Sequence, residues 1–323
     1  MKSVLLVGAG NLGRRHLQSL KACQLPIRIF VVEPYEEARS LAESAYQATE
    51  SNAPEKEIGF YSDLGQIDQQ IDIAVVSTPA SGRLEILRDV LALGAKDVVL
   101  EKVAFNSVAA IDEASALVEQ YQARAWVNCP RRLNPFYQQL RRALEDDPIE
   151  SFEVEGGNFG MACNAIHFLD LCAFLSRQSS YQITLAGVRE VVPSKRSNYI
   201  EFFGEVAGSF ESGPAFKIAC HESGHGVSFT IKLVTQSAQY LIDEVNGTVE
   251  IIDAKGDRQQ QGFRQPYQSE LTGPLIDEII QQQRCGLTNF TESMSLHRPF
   301  IDAAYRLYAE KYEENSLKMV PIT

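Results

Sequence analysis

No apolar run in this 323-residue sequence approaches the ~18 residues that a membrane-spanning helix needs. Met1-Lys2 leads straight into Ser3–Val7 and then a glycine loop. The first apolar run therefore reads as a strand rather than as the core of a signal peptide. The six cysteines are scattered with no CxxC pair, which argues against a disulfide scaffold and a zinc ribbon. Reduced thiols and a cytoplasmic location are expected. Positive charge is also short: 30 Lys+Arg face 42 Asp+Glu, a formal net charge of −12. Such a chain repels phosphate backbones and anionic lipid, so neither nucleic acid nor a membrane surface is expected as a partner. Repeats and low-complexity tracts are missing as well.

What is present is enough apolar sequence for two cores, and at about 100–200 residues per domain the length suggests two domains. Short apolar runs at Val4–Val7, Ile27–Val32, Ile71–Val76, Val98–Leu100 and Ala125–Val127 alternate with amphipathic stretches. Those stretches are Leu12–Ala22, Glu36–Tyr46, Leu84–Leu93 and Ala109–Tyr121. Continuous β-branched runs mark strands buried on both faces, and helices between them imply parallel crossovers. Residues 1–127 therefore read as a doubly wound α/β domain of the Rossmann type.

After Asn128 the pattern changes. Strand-like runs follow one another at Ile149–Gly156, Ile183–Val192, Glu201–Phe210, Ala215–Cys220, Val227–Val234, Gln239–Val245 and Thr248–Ile252. Asn246-Gly247 reads as a two-residue type I′ hairpin turn. Helical patterns occupy Ala162–Phe174, Leu275–Gln283 and Ser293–Tyr312. Residues 128–323 thus read as an α+β domain with a largely antiparallel, open-faced sheet.

Gly8-Ala9-Gly10-Asn11-Leu12-Gly13 matches G-x-G-x-x-G directly after a strand and at the start of a helix, the context that gives this pattern meaning. Gly8 permits the tight turn, Gly10 the approach of a pyrophosphate, and Gly13 the packing of helix on strand. The helix N–H groups then receive the phosphates. Glu33 lies 20 residues past Gly13, where an acid grips the ribose hydroxyls and repels a 2′-phosphate. NAD is therefore expected over NADP. Arg14 and Arg15 offer opposing charge but fall on the first helix turn.

Ser77-Thr78-Pro79 follows the run Ile71–Val76 and Glu101-Lys102 the run Val98–Leu100. Together with Tyr61-Ser62-Asp63-Leu64, the segment Asn128…Arg131-Arg132-Leu133-Asn134-Pro135, and His167-Phe168-Leu169-Asp170, these pieces make the chain resemble the Gfo/Idh/MocA family of sugar-type dehydrogenases. The resemblance implies a nicotinamide cofactor on the first domain and a sugar, cyclitol or related polyol on the second domain's sheet. It adds Ser77, Thr78, Pro79 and Glu101 to the cofactor contacts Gly8, Gly10, Asn11, Leu12, Gly13 and Glu33. Two positions depart from it. Val103 stands where the family has proline after Glu-Lys, and Cys163 stands where it has aspartate four residues before the histidine.

Oxidising an alcohol requires a base for the hydroxyl proton. Lys102 sits at the C-terminal end of a parallel strand, where open α/β sheets place ligands. His167 titrates near neutral pH, and Asp170 lies three residues on along the same helix. Lys102, His167 and Asp170 are the expected catalytic residues. Lys102, Arg131, Cys163 and His167 are the expected substrate contacts, Arg131 through a bidentate fork suited to a carboxylate or phosphate. A Cys163–His167 nucleophile is the competing chemistry. His16 reads as helix packing beside the cofactor. Cys220, His221 and His225 have a zinc-like spacing, but Glu222-Ser223-Gly224 and Gly226 read as a hairpin turn, so no metal is expected.

The competing reading on the same fold is a non-catalytic NAD-binding sensor or regulatory protein, which the changes at 103 and 163 favour. One sheet also needs both faces covered. Apolar residues of Phe202–Phe210 and Phe229–Leu233 on the outer face would be buried by a second copy, giving a homodimer or a tetramer of dimers.

Overall fold

In a computed structural model the chain is described over residues 1–312 and 318–323. It packs as two compact units. The first comprises Met1–Phe105, Ala110–Pro130 and Pro266–Phe290, the second Asn106–Ala109, Arg131–Gln265 and Thr291–Thr323. The elements in order are β1 (Lys2–Val7), α1 (Asn11–Lys21), β2 (Ile27–Val32), α2 (Glu36–Ala48), β3 (Glu57–Tyr61), β4 (Ile73–Val76), α3 (Arg83–Ala92), β5 (Asp97–Leu100), α4 (Val108–Gln120) and β6 (Arg124–Val127). Then come α5 (Pro135–Ala143), β7 (Ile149–Gly157), α6 (Met161–Ser176), β8 (Tyr181–Pro193), β9 (Ile200–Phe210), β10 (Ala215–His221), β11 (Ser228–Thr235), β12 (Ala238–Asp243), β13 (Thr248–Asp253) and β14 (Arg258–Gly262). The last are α7 (Gln268–Gln282), β15 (Thr288–Asn289) and α8 (Phe290–Lys311).

In the first unit the strand order is β15-β6-β5-β4-β1-β2-β3. β1 to β6 run parallel, and β15 is antiparallel on the β6 edge. The order reverses between β1 and β4, the switch point at which such sheets bind ligands. The strands form because Val4–Val7, Ile73–Val76 and Val98–Leu100 are buried on both faces. Each such side chain contributes roughly 1.5–3 kcal/mol of burial. Helix α7 returns from late in the chain to pack on α1. A Cβ on Gly273 would lie 2.3 Å from the Ser19 carbonyl oxygen, and the Gly273 N–H donates to Ser19 Oγ at 2.8 Å.

In the second unit the order is β14-β13-β12-β11-β7-β10-β9-β8, antiparallel throughout except for β7 beside β10. Helix α6 packs on β7, β9 and β10. Cross-strand partners share a face, so Phe152, Val154, Val206, Phe216, Ile218, Ile231 and Leu233 line the inner side, all buried. Phe229 joins them through its edge contact with Phe168 of α6, ring centroids 5.3 Å apart.

Three expectations change here. The apolar residues of Phe202–Phe210 and Phe229–Leu233 are largely turned inward, because alternation puts Val206, Ile231 and Leu233 on the helix side. The outer face is mixed: Glu153 sits opposite both Lys217 and Lys232, with Ala207, Ala219 and Leu241 between charges. The Asn246-Gly247 hairpin has a four-residue loop, since Asp243 pairs with Thr248, and of Asn246 and Gly247 only Gly247 has positive φ (+65°). The stretch 222–227 is not a hairpin but a crossover, because β7 lies between β10 and β11. Strand β14 carries Arg258-Gln259-Gln260-Gln261-Gly262, all exposed, so no apolar alternation announces it.

Candidate functional site

The glycine loop forms as its sequence requires. Gly8 has φ +86° and donates its N–H to Val32 O at 2.9 Å. A Cβ on Gly13 would meet Gly8 O at 2.0 Å, so only glycine lets α1 start this close to β1. A Cβ on Gly10 would meet nothing within 4 Å, which leaves the approach that a pyrophosphate needs. Asn11 and Leu12 open α1, and Asn11 Oδ1 accepts from Arg14 at 2.5 Å, which holds that arginine on the first turn. Ser77 Oγ donates to Gly8 O at 2.5 Å and joins the two strand ends. The buried Thr78 Oγ1 has no hydrogen-bond partner among the described residues. Pro79 follows on the same turn.

Glu33 is buried at the end of β2. Its Oε2 accepts from the Ala9 N–H at 2.7 Å and its Oε1 from the Tyr35 N–H at 3.1 Å. The ribose-gripping acid is thus bolted to the phosphate loop, with acceptor capacity remaining on each oxygen. Arg39 donates to the Glu33 carbonyl at 2.8 Å and brings a cation beside that position. The open Gly10, the anchored Glu33 and the unsatisfied Thr78 hydroxyl all fit a bound dinucleotide.

Glu101 is buried in a network. Its Oε1 contacts His16 Nε2 at 2.9 Å and accepts from Asn128 Nδ2, and its Oε2 accepts from the Lys102 N–H at 3.3 Å. His16 Nδ1 meets Thr272 Oγ1 of α7 at 2.8 Å. Burial alone would push the Glu101 carboxyl up, but His16, by hydrogen bond and charge, and then Asn128 outweigh it. The group ends below its ordinary value. Lys102 is half-buried on the turn after β5, and the Lys102–Val103 peptide bond is cis. Beneath this turn lies Arg83, 1% exposed, which donates to the carbonyls of Glu101 at 2.6 Å, Ala104 at 2.9 Å, Val103 and Thr78.

In the second unit, α6 presents Cys163, Asn164 and His167 as the residues between Met161 and Phe168 that are not buried. Cys163 Sγ donates to Glu201 Oε1 at 3.1 Å, and the Ala162 N–H donates to Glu201 Oε2 at 3.0 Å. Asp170 is buried and accepts from Arg132 Nε at 2.8 Å; Arg132 also reaches Glu292 at 2.8 Å. Desolvation would lower the Arg132 pKa, but these two carboxylates raise it. This triad ties α6 to α8, so the geometry gives Asp170 an anchoring task. Arg131 forks onto Glu244 at 2.8 and 2.6 Å, and Tyr137 donates to the same carboxylate at 2.5 Å. The fork that could meet a substrate anion thus engages an internal carboxylate. Arg39, Arg83 and Glu201 were not singled out by the sequence. Nothing local distinguishes them, since each acts through partners distant in sequence or on main-chain carbonyls.

A parallel sheet ordered 3-2-1-4-5-6 with a glycine-rich turn at its switch point defines a dinucleotide-binding fold. Residues 2–129 match the GFO_IDH_MocA family model, described as an oxidoreductase family with an NAD-binding Rossmann fold. Over those residues the chain matches this family, whose described fold binds NAD. No match among curated proteins is found. Solved structures share the fold across nearly the whole chain. UDP-N-acetylglucosamine 3-dehydrogenase GnnA from Acidithiobacillus ferrooxidans is 15% identical, with 94% of this chain and 96% of that chain covered and a TM-score of 0.71. Levoglucosan dehydrogenase in complex with NADH and levoglucosan is 14% identical, with 96% and 98% covered and a TM-score of 0.73. An oxidoreductase from Agrobacterium radiobacter in complex with NAD+, L-tartaric acid and magnesium is 12% identical, with 96% and 97% covered and a TM-score of 0.73.

Proposed function

We propose that this chain is an NAD-dependent oxidoreductase acting on a CH–OH group of a sugar, sugar derivative or polyol. The observation that carries the reading is the face of α6, where His167 is kept accessible while the helix around it is buried. The sugar dehydrogenases that share the fold support the substrate class. Residues 1–127 serve as the dinucleotide-binding domain, joined by α7, and residues 128–323 supply substrate binding and oligomer contacts.

When bound, NAD accepts or returns a hydride at its nicotinamide. The chain's own residues do the rest. Gly8, Gly10, Asn11, Leu12 and Gly13 receive the phosphates, and Glu33 accepts from the ribose hydroxyls. Ser77, Thr78 and Pro79 line the switch point. Glu101 supports the cofactor site from behind by fixing His16, Asn128 and the Lys102 amide. Lys102 holds and polarises the reacting oxygen, and His167 takes or returns its proton. Cys163 Sγ is engaged as a donor to Glu201 Oε1, which supports this reading over a Cys163 nucleophile. Cysteine usage supports a reducing compartment, the cytoplasm.

The deciding experiment follows NADH formation with a panel of hexoses, cyclitols and sugar derivatives, and its decay with the matching ketones. Turnover of one or more is expected. Tight NADH binding with no turnover anywhere would establish the sensor reading instead.

The second copy remains part of the proposal, on changed grounds. An outer sheet face carrying Glu153, Lys217 and Lys232 has both signs of charge and can complement itself across a two-fold axis. Light scattering should give a dimer or tetramer; a mass near 35.9 kDa would end that reading.

A further inference from the structure

Cys163 and His167 are four residues apart, so their side chains lie one above the other on α6. Glu201, from the start of β9, reaches this face. One oxygen accepts from the Cys163 thiol and the other from the Ala162 N–H. Donors on adjacent residues hold both oxygens, so the carboxylate is fixed in position. Gly160, at φ +73°, opens the helix next to this carboxylate. Glu201, Cys163 and His167 are each half-buried.

A carboxylate that only capped the helix would need the backbone donor alone and no exposed edge. This one also holds the Cys163 thiol, whose helix position is one turn from His167. Among the described residues, the Cys163 thiol of α6 donates to it and Cys220 of β10 feels its charge. Burial first, and later the Glu201 charge, push the Cys220 thiol up. A fixed carboxylate accepts from hydroxyl hydrogens and repels anions.

We propose that Glu201 is a specificity-determining residue of the His167 face. It accepts a hydroxyl of the substrate and excludes substrates that carry a carboxylate or phosphate at that point. The inference rests on the reading of the chain as an oxidoreductase of sugars or polyols.

The test compares neutral hexoses and cyclitols with the corresponding uronic acids. It reads kcat/KM with NAD and, by calorimetry, binding to the protein–NAD complex. The wild type should favour the neutral compounds about tenfold or more, the equivalent of about 1.4 kcal/mol. Glu201→Gln should raise KM more than it lowers kcat and erase that preference. Glu201→Asp, which keeps the charge, should retain it. An unchanged preference in Glu201→Gln, or its equal loss in Glu201→Asp, overturns the proposal. A second readout needs no substrate. Iodoacetamide should alkylate Cys163 about tenfold faster in Glu201→Gln at neutral pH, because the thiolate no longer faces a carboxylate. Equal rates overturn the pairing. Calorimetry decides the preference even where nothing turns over, so failure of the function reading and failure of the Glu201 assignment are separate results.

Discussion

Helix α1 follows β1 through Gly8-Ala9-Gly10, and helix α6 follows β7 through Asn158-Phe159-Gly160. Each has glycine at the N-cap and no acidic residue in its first turn. Each has a carboxylate from another strand bound to a main-chain N–H close by. At α1 that carboxylate is Glu33, and it takes the Ala9 N–H, one residue before the cap. At α6 it is Glu201, and it takes the Ala162 N–H, inside the first turn. In the first case the amides of the turn stay available for a phosphate. In the second the carboxylate occupies the helix start itself and also takes the Cys163 thiol. The landing point of the acid, rather than the glycine beside it, decides which helix start welcomes an anion.

The largest effects should come from breaking the α1 end. Gly13→Val sets a Cβ against the Gly8 carbonyl, and NADH affinity should fall by about 100-fold or more, ~2.7 kcal/mol, with a lower Tm. Gly10→Ala should separate binding from stability. Gly10 has φ −63° and open space around it, so Tm should hold while NADH affinity drops. Calorimetry and thermal melts read both. Wild-type affinity in Gly10→Ala would mean that phosphates do not approach there.

Next in size are the chemical groups. Lys102→Ala and His167→Ala should each lower kcat by ~10²-fold with NADH affinity nearly intact. Asp170→Asn is the contrasting variant. It breaks the buried pair with Arg132, so stability should fall by about 3 kcal/mol, while kcat per folded molecule stays near wild type. A collapse of kcat without loss of stability would return Asp170 to the chemistry.

The two regions also differ in how much their residues announce. The phosphate cradle lies in one contiguous stretch with an acid at a set distance, so Gly8 to Gly13 and Glu33 could be read directly. On α6, His167 and Cys163 were visible, but the acid beside them was not, because Glu201 comes from a strand 38 residues beyond Cys163. Asp170 and Arg131 were visible, but their internal partners were not: bidentate geometry suits a substrate anion and an internal carboxylate equally well. Helix α7 was legible as a helix, but not its return to α1, which depends on Gly273 and Thr272 meeting Ser19 and His16. The sheet's outer face was misread because aromatic runs were counted without their alternation.

The smallest effect concerns the network behind Lys102. Glu101 is buried with its pKa below the ordinary value, so the folded state binds its proton less readily than the unfolded chain does. Its stabilising contribution is therefore fully present above the ordinary carboxylate range. It is lost as pH falls through the depressed folded value. Glu101→Gln removes the charge but keeps the shape. The stability gap between wild type and Glu101→Gln, from urea melts, should be steady from about pH 7 to 5 and shrink below about pH 4.3, the ordinary Glu value. A tenfold difference in proton affinity between the folded and unfolded chain is worth about 1.4 kcal/mol, so the change is modest. A gap that stays constant down to the acid transition would show that His16 and Asn128 hold Glu101 by shape alone. The carboxylate would then have no electrostatic part in fixing the turn that carries Lys102.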